Sequence, residues 1–344
     1  MIPSAVRRGA YAFTSTLGGF DELVPALASV ELTLDDVVQV GITVADAEYR
    51  SELGGPWRSL FGTSADAWPA LRVTQMAMPP GIPIALQATA VAAEGRTSVA
   101  LPGGNGARVG DLFVTASVNG RSRDGSLPEN VQFEIAQALE NVCALCTEAG
   151  GSSNDLLHFW AFATEGIVAN DFTPSWIERF PRDGDRPARK TFLRAQLPGP
   201  ERVTFIATAR INGGRRVNQE VPWVQHSDPL PMAARIGNLF MTSGIIANPH
   251  DPNAPNGLGP LAETAAGQAR DSFVNLEHLL RAQNGTLANV AQLGAVLPDY
   301  ADLAMLEEAI AERFPAGALP ALQIWSMPMA SPAQRLQLFA TALF

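Results

Sequence analysis

The sequence predicts an α+β chain that repeats one supersecondary pattern, β-β-α-β-α-β-β, three times in tandem. Three observations carry this prediction. The stretch ARVGDLFVTA, beginning at Ala107, returns as ARIGNLFMTS from Ala234. A short helix ends in WIERFP at 176–181 and again in IAERFP at 310–315. Pro-Ala opens a strand-like segment three times, in WPALRVT, RPARKTF and LPALQIW. Similarity that recurs in a fixed order of elements marks a structural repeat.

Each element follows from local pattern. After DLFVTASV comes a polar loop and then the helix QFEIAQALENVCALCTEAG, whose Ala136, Leu139, Cys143 and Cys146 form one apolar stripe. After NLFMTSGI comes the longer loop IANPHDPNAPNGLG. The helix behind it carries Ala266, Ala269, Phe273, Leu276 and Leu280 at the same spacing. Asn141 and Asn275 hold matching places on the two helices, and the inserted residues fall in the loop, where insertions are tolerated. A strand, a shorter helix and two final strands complete each unit. The N-terminal stretch keeps the order in abbreviated form, with GAYAFTSTLGG, a shortened helix FDELVPALASV, LDDVVQVGITVAD, PWRSLFG, PALRVTQMAMP and IPIALQATAVAA. The units are expected at residues 1–96, 97–214 and 215–344, joined by EGRTS and NGGRRVNQE.

Composition narrows the function. With 47% hydrophobic and 17% charged residues, the chain reads as globular. Its net charge of −10 opposes a nucleic-acid surface, since that affinity comes largely from Lys and Arg releasing counterions. The most basic segment, RFPRDGDRPARK at 179–190, contains Asp183 and Asp185 and is read as a solvated loop. No apolar run approaches the roughly 18 residues of a membrane span, and no signal peptide is read, so a soluble, cytoplasmic protein is expected. Cys143 and Cys146 form C-x-x-C, but both fall on the helix stripe and read as buried structural residues. His158, His226, His250 and His278 show no metal spacing, and His250 with Asp251 reads as a polar loop tip. GGNGARVG precedes a strand rather than opening a helix, so it is no phosphate loop, and no cofactor is expected.

The order of elements, with G-x-L-F-x-T-S-G early, Q-A-L-x-N on the first helix and P-A-R near the end, resembles the Rid/YjgF family of reactive-intermediate deaminases. The resemblance runs through the chain three times and is most specific in the second unit. It implies chorismate-mutase-like units, which in that family assemble as homotrimers with sites between subunits. One chain with three units then implies a covalent pseudo-trimer, closed as a monomer and free to diversify its three clefts. The organisation is also similar to the chorismatases, which fuse three Rid-like units and hydrolyse the enol ether of chorismate.

The resemblance implies that an arginine in P-A-R holds a substrate carboxylate. Arg189 occupies that place in unit 2, whereas Leu71 and Leu322 replace it in units 1 and 3. Arg72 is one residue on and would point to the opposite face of a strand. A guanidinium is a planar fork that grips a carboxylate bidentately and stays charged at working pH. The competing reading makes Arg189 a surface residue of an Arg/Asp-rich loop. The T-S-G turn, whose serine and backbone contact ligand in the family, is intact as Thr242-Ser243-Gly244. It reads Thr14-Ser15-Thr16 in unit 1 and Thr115-Ala116-Ser117 in unit 2. Arg189 is therefore expected to face Ser243 and Gly244, with Ser15 as the alternative, and Thr191 and Thr204 are further candidate ligand contacts. The glutamate that many family members carry in the last strand is absent. Thr204, Gln337 and Ala85 or Leu86 fall at its place, and none of them is a general base near neutral pH. Glu307 or Glu308 on the short helix of unit 3 is the remaining candidate proton carrier, against the plainer role of a solvated helix face.

These readings predict one surviving inter-unit cleft for a small carboxylate-bearing ligand. The resemblance implies imine or enamine hydrolysis. A chorismatase-like reaction on a cyclic unsaturated carboxylate and a non-catalytic metabolite-binding pseudo-trimer are the alternatives.

Overall fold

Three hairpins with two-residue loops set the architecture. Gly9, Gly110 and Gly237 begin these loops with φ of 58°, 58° and 57°, a left-handed backbone that suits glycine. A computed structural model describes residues 1–344 apart from 80, 225–228 and 330, so His226 lies outside the described residues.

The first sheet contains β1 (Ala5–Arg8), β2 (Tyr11–Thr14), β3 (Val37–Val44), β4 (Ala70–Gln75) and β5 (Ile84–Val91), in the order β1-β2-β5-β3-β4. The second contains β6 (Arg96–Leu101), β7 (Gly104–Val109), β8 (Leu112–Thr115), β9 (Val118–Asn119), β10 (Leu156–Ala163), β11 (Ala188–Phe192) and β12 (Val203–Arg210). Its order is β6-β7-β8-β12-β10-β11, with β9 paired to β12. The third contains β13 (Arg216–Gln219), β14 (Ala233–Ile236), β15 (Leu239–Thr242), β16 (Val290–Leu297), β17 (Ala321–Ser326) and β18 (Gln337–Leu343), in the order β13-β14-β15-β18-β16-β17. The fold is thus three tandem copies of one α+β unit. In each copy the Pro-Ala strand (β4, β11 or β17) runs parallel to its neighbour and forms the sheet edge.

Helices cover one face of each sheet. In the first unit these are α1 (Leu23–Ala28) and α2 (Gly54–Phe61), in the second α3 (Val131–Glu148) and α4 (Thr173–Arg179), and in the third α5 (Ala265–Arg281) and α6 (Leu303–Arg313). Each sheet and its helices enclose a separate apolar core. Cys143 and Cys146 lie in one of these cores, where burial pushes both thiols up, Cys146 to about 12. Asn141 and Asn275 each donate to two backbone carbonyls of the segment that follows Thr115 or Thr242, which explains their matching places. Among the described residues, no helix is long and apolar enough to cross a membrane.

The opposite sheet faces meet in a fourth core that draws on all three units, including Phe13, Trp160, Phe192, Trp325 and Phe339. The turns after β2, β8 and β15 are fixed alike. Thr14, Thr115 and Thr242 each accept a hydrogen bond at 2.8 Å from a backbone N–H of the last strand of their own unit, at Ala88, Ala207 and Ala340. The junctions run in one sense around the ring. The β11 edge meets the turn of unit 3 through Arg189 N–H to Ser243 Oγ, 3.0 Å. The β17 edge meets the turn of unit 1 through Leu322 N–H to Ser15 Oγ, 2.9 Å. The β4 edge packs beside β8 of unit 2.

Candidate functional site

A cleft of about 410 Å3 lies where β11 of unit 2 meets the turn and last strand of unit 3. That volume suits a small metabolite. Arg189, Lys190 and Thr191 contribute one wall, Ser243, Gly244 and Gln337 another, and Met327, Pro328 and Met329 an apolar rim. No aspartate, glutamate or histidine is among the described lining residues.

Strand alternation sends consecutive residues of β11 to opposite faces. Arg189 goes to the helix side, where its guanidinium lies 5.1 Å from the ring centre of Phe172 and 4.8 Å from that of Trp176. Its side-chain nitrogens are shielded from solvent. The guanidinium is thus held against aromatic rings on the helix side, while Arg189 remains part of the cleft lining. The physical reason is the aromatic layer on the helix face of β11, a favourable place for a planar cation.

Lys190 points the other way. Its Nζ donates to Gln337 Oε1 at 2.5 Å and to the Thr191 carbonyl at 3.0 Å, and lies 4.8 Å from the Phe192 ring centre. Burial lowers its pKa from 10.5 to about 7. The equivalent positions, one residue after Leu71 and Leu322, hold Arg72 and Gln323. Arg72 does face away from Leu71's side. Its guanidinium lies 4.1 Å from the Trp325 ring centre and bonds Gln87 and Thr74, and burial lowers its pKa to about 9.

Several other candidates fall elsewhere. Thr204 is absent from this cleft, because the ring brings in the last strand of the neighbouring unit and not that of unit 2. Strand register makes Ala85, Thr204 and Gln337 equivalent, opposite Thr43, Phe162 and Val296, and Gln337 is the member that enters. Ser15 belongs to the junction with Leu322. Glu307 and Glu308 are exposed on α6, because Leu306, Ala309 and Ile310 form that helix's buried stripe, and neither lines the cleft. The basic segment at 179–190 is not one solvated loop, since Arg186, Arg189 and Lys190 are all buried. Lys190 is the residue that motif reasoning missed, although one signal marked it: it is the sole lysine among 24 Lys and Arg residues.

No family profile matches the sequence, and no curated protein is similar to it at a significant level. Solved structures are. A chorismatase structure has 15% identity and a TM-score of 0.60, covering 90% of this chain and 93% of its own. A YjgF-family member from Mycobacterium tuberculosis has 19% identity and a TM-score of 0.31, covering 38% of this chain and 99% of its own. RidA from an Antarctic Psychrobacter species has 21% identity and a TM-score of 0.31, covering 35% and 93%. The chain therefore has the fold of the chorismatase.

Proposed function

We propose that the cleft between units 2 and 3 binds a small carboxylate-bearing molecule, and that the chain is an enzyme acting on it by hydrolysis of the imine or enamine kind. The observation that carries this reading is the charge of the cleft. Two basic residues, Arg189 and Lys190, line it, and no acidic residue does among those described. A chain of net charge −10 thus places two basic residues at this cleft. Beside these two residues, Thr191, Ser243 and Gln337 supply hydrogen-bonding groups. The apolar rim suits the hydrocarbon part of a small acid.

The match to the chorismatase over 90% of the chain favours a second reading, an enzyme acting on a cyclic unsaturated carboxylate. Gln337 weighs against a reaction that needs a carboxylic acid at that position, since an amide does not donate a proton as an acid.

The test is binding of pyruvate, fumarate and benzoate by calorimetry, followed by Arg189→Gln. Loss of the guanidinium is expected to weaken a bound carboxylate by roughly 1.5–3 kcal/mol, or ten- to a hundredfold. Ser15→Ala, at another junction, should leave affinity unchanged. Equal affinities for wild type and Arg189→Gln would remove the role given to Arg189, and failure of every carboxylate to bind would remove the reading itself.

A further inference from the structure

The chain meets its need for positive charge with arginine, both in ion pairs such as Arg202–Glu134 and Arg270–Glu312 and in the buried Arg72 at the position equivalent to Lys190. Its one lysine is in the cleft. An amine offers what a guanidinium does not, a lone pair near neutral pH.

The surroundings of Nζ fit the neutral amine. Gln337 Oε1 and the Thr191 carbonyl are two acceptors, enough for the two N–H bonds of an amine. An ammonium has three donors, and the third finds no acceptor among the described residues. The other charged residue of the lining, Arg189, projects from the opposite face of the same strand, and Phe192, Val296 and Met327 supply apolar surroundings. Gln337 stands where the resemblance places a glutamate. A carboxylate at 2.5 Å would hold Lys190 as an ammonium, whereas the amide accepts the same hydrogen bond and leaves the amine free to lose its proton.

We propose that Lys190 is a nucleophilic amine that captures a small 2-oxo acid, or an aldehyde acid, as an imine in this cleft. The choice of an acid rests on the carboxylate reading above; the amine chemistry does not. The Nζ lone pair forms a bond to the carbonyl carbon while the C=O π pair moves to oxygen. Transfer of one proton from nitrogen to that oxygen gives a neutral carbinolamine. The nitrogen lone pair then expels the hydroxyl, which leaves as water on taking up one more proton, and the product is a protonated imine. No electrons are exchanged with an outside reagent, and water reverses the step.

The intact chain is incubated with pyruvate or glyoxylate and cyanoborohydride, and its peptides are weighed. One carboxyalkyl group is expected on Lys190, saturable in the oxo acid, with a pH dependence centred near 7. Lys190→Met should abolish it. Gln337→Glu should slow trapping at pH 7 by at least tenfold and move the profile to higher pH, an effect that a merely structural lysine would not show. Lys190 has a folded pKa below its unfolded value. The cost of burying its charge is therefore fully present below about pH 7 and fades as pH rises towards 10.5. Lys190→Met should accordingly melt above wild type at pH 6, with the gain vanishing near pH 10.

Labelling confined to the N-terminal amine, or equal labelling of folded and urea-unfolded chain, overturns the proposal. If pyruvate binds in an Arg189-dependent way yet Lys190 is never trapped, the imine falls and the carboxylate reading stands. If acetaldehyde is trapped on Lys190 as well as pyruvate is, and propionate does not compete, the amine stands and the carboxylate reading falls.

Discussion

At the junction of units 3 and 1, the edge strand is fastened to the turn it meets; at the junction of units 2 and 3, it is held at one point and a cleft opens beyond. The shared point is the serine. Leu322 N–H donates to Ser15 Oγ in one junction, and Arg189 N–H to Ser243 Oγ in the other. The next residue separates them. Thr16 donates its own N–H to the Leu322 carbonyl, and its Oγ1 accepts from Ile324 N–H at 2.9 Å and from Gln87 Nε2 at 3.1 Å. Gly244 has no hydroxyl to offer. The space beside it is occupied by Gln337, whose Nε2 would lie 2.4 Å from a Cβ at 244. One side chain present in unit 1 and absent in unit 3 thus distinguishes a sealed seam from an open cleft.

The most direct way to break this comparison is Gly244→Thr. The new side chain would displace Gln337, a flexible group that can give way, and would present a hydroxyl to Thr191, the counterpart of Ile324. Carboxylate affinity is expected to fall on the order of a hundredfold, about 2.7 kcal/mol, with the fold retained. Calorimetry with the carboxylate that binds wild type best decides the matter. Unchanged affinity would show that something other than Gly244 keeps the cleft open.

A second difference lies inside the same junction. Gln39 of unit 1 donates from Nε2 to the Thr115 carbonyl at 2.9 Å, and Gln292 is its equivalent in unit 3, but unit 2 places His158 there. His158 is 2% exposed, and its Nε2 has no hydrogen-bond partner among the described residues. Burial lowers its pKa from 6.5 to about 3, against the opposing pull of the Thr242 carbonyl. Because the unfolded chain takes up this proton first, stability is lost as pH falls from 6.5 towards 3. At pH 5 the loss is roughly 2 kcal/mol. His158→Gln should make this junction like the other two and flatten the urea midpoint between pH 7 and pH 5. An undiminished slope would place the acid sensitivity elsewhere.

Much of the frame was legible because repetition and alternation are strict. The recurring ARVGDLFVTA phrase marked the hairpins, and the three Pro-Ala openings marked the edge strands that bound the junctions. What escaped depends on contacts between distant segments. No local pattern shows that Phe172 and Trp176 take the Arg189 guanidinium, since those rings reach β11 only after α4 packs. Counting along one unit does not show the sense in which the ring closes, which brings Gln337 and not Thr204 into the described lining of this cleft. Lys190 escaped for another reason. The P-A-R pattern centres on the arginine beside it, and the signal for the lysine is that the chain uses lysine once.

The smallest expected effect tests what the two junctions share. Ser15 Oγ donates to the Pro3 carbonyl and Ser243 Oγ to the Pro231 carbonyl, at 2.6 and 2.7 Å, while each accepts from the facing edge strand. Replacing either by alanine leaves a buried N–H without its hydroxyl, which costs about 1 kcal/mol. The third junction shows that such a loss is tolerated, because unit 2 has Ala116 at this position. The two variants should therefore melt alike and differ in binding. Ser15→Ala disturbs only the seam, whereas Ser243→Ala loosens the point from which the Arg189 strand is hung and should weaken carboxylate binding by about threefold, some 0.7 kcal/mol. Paired melting and calorimetry measure both quantities. Equal binding in the two variants would mean that the serine fastens the junction in both places and shapes the cleft in neither.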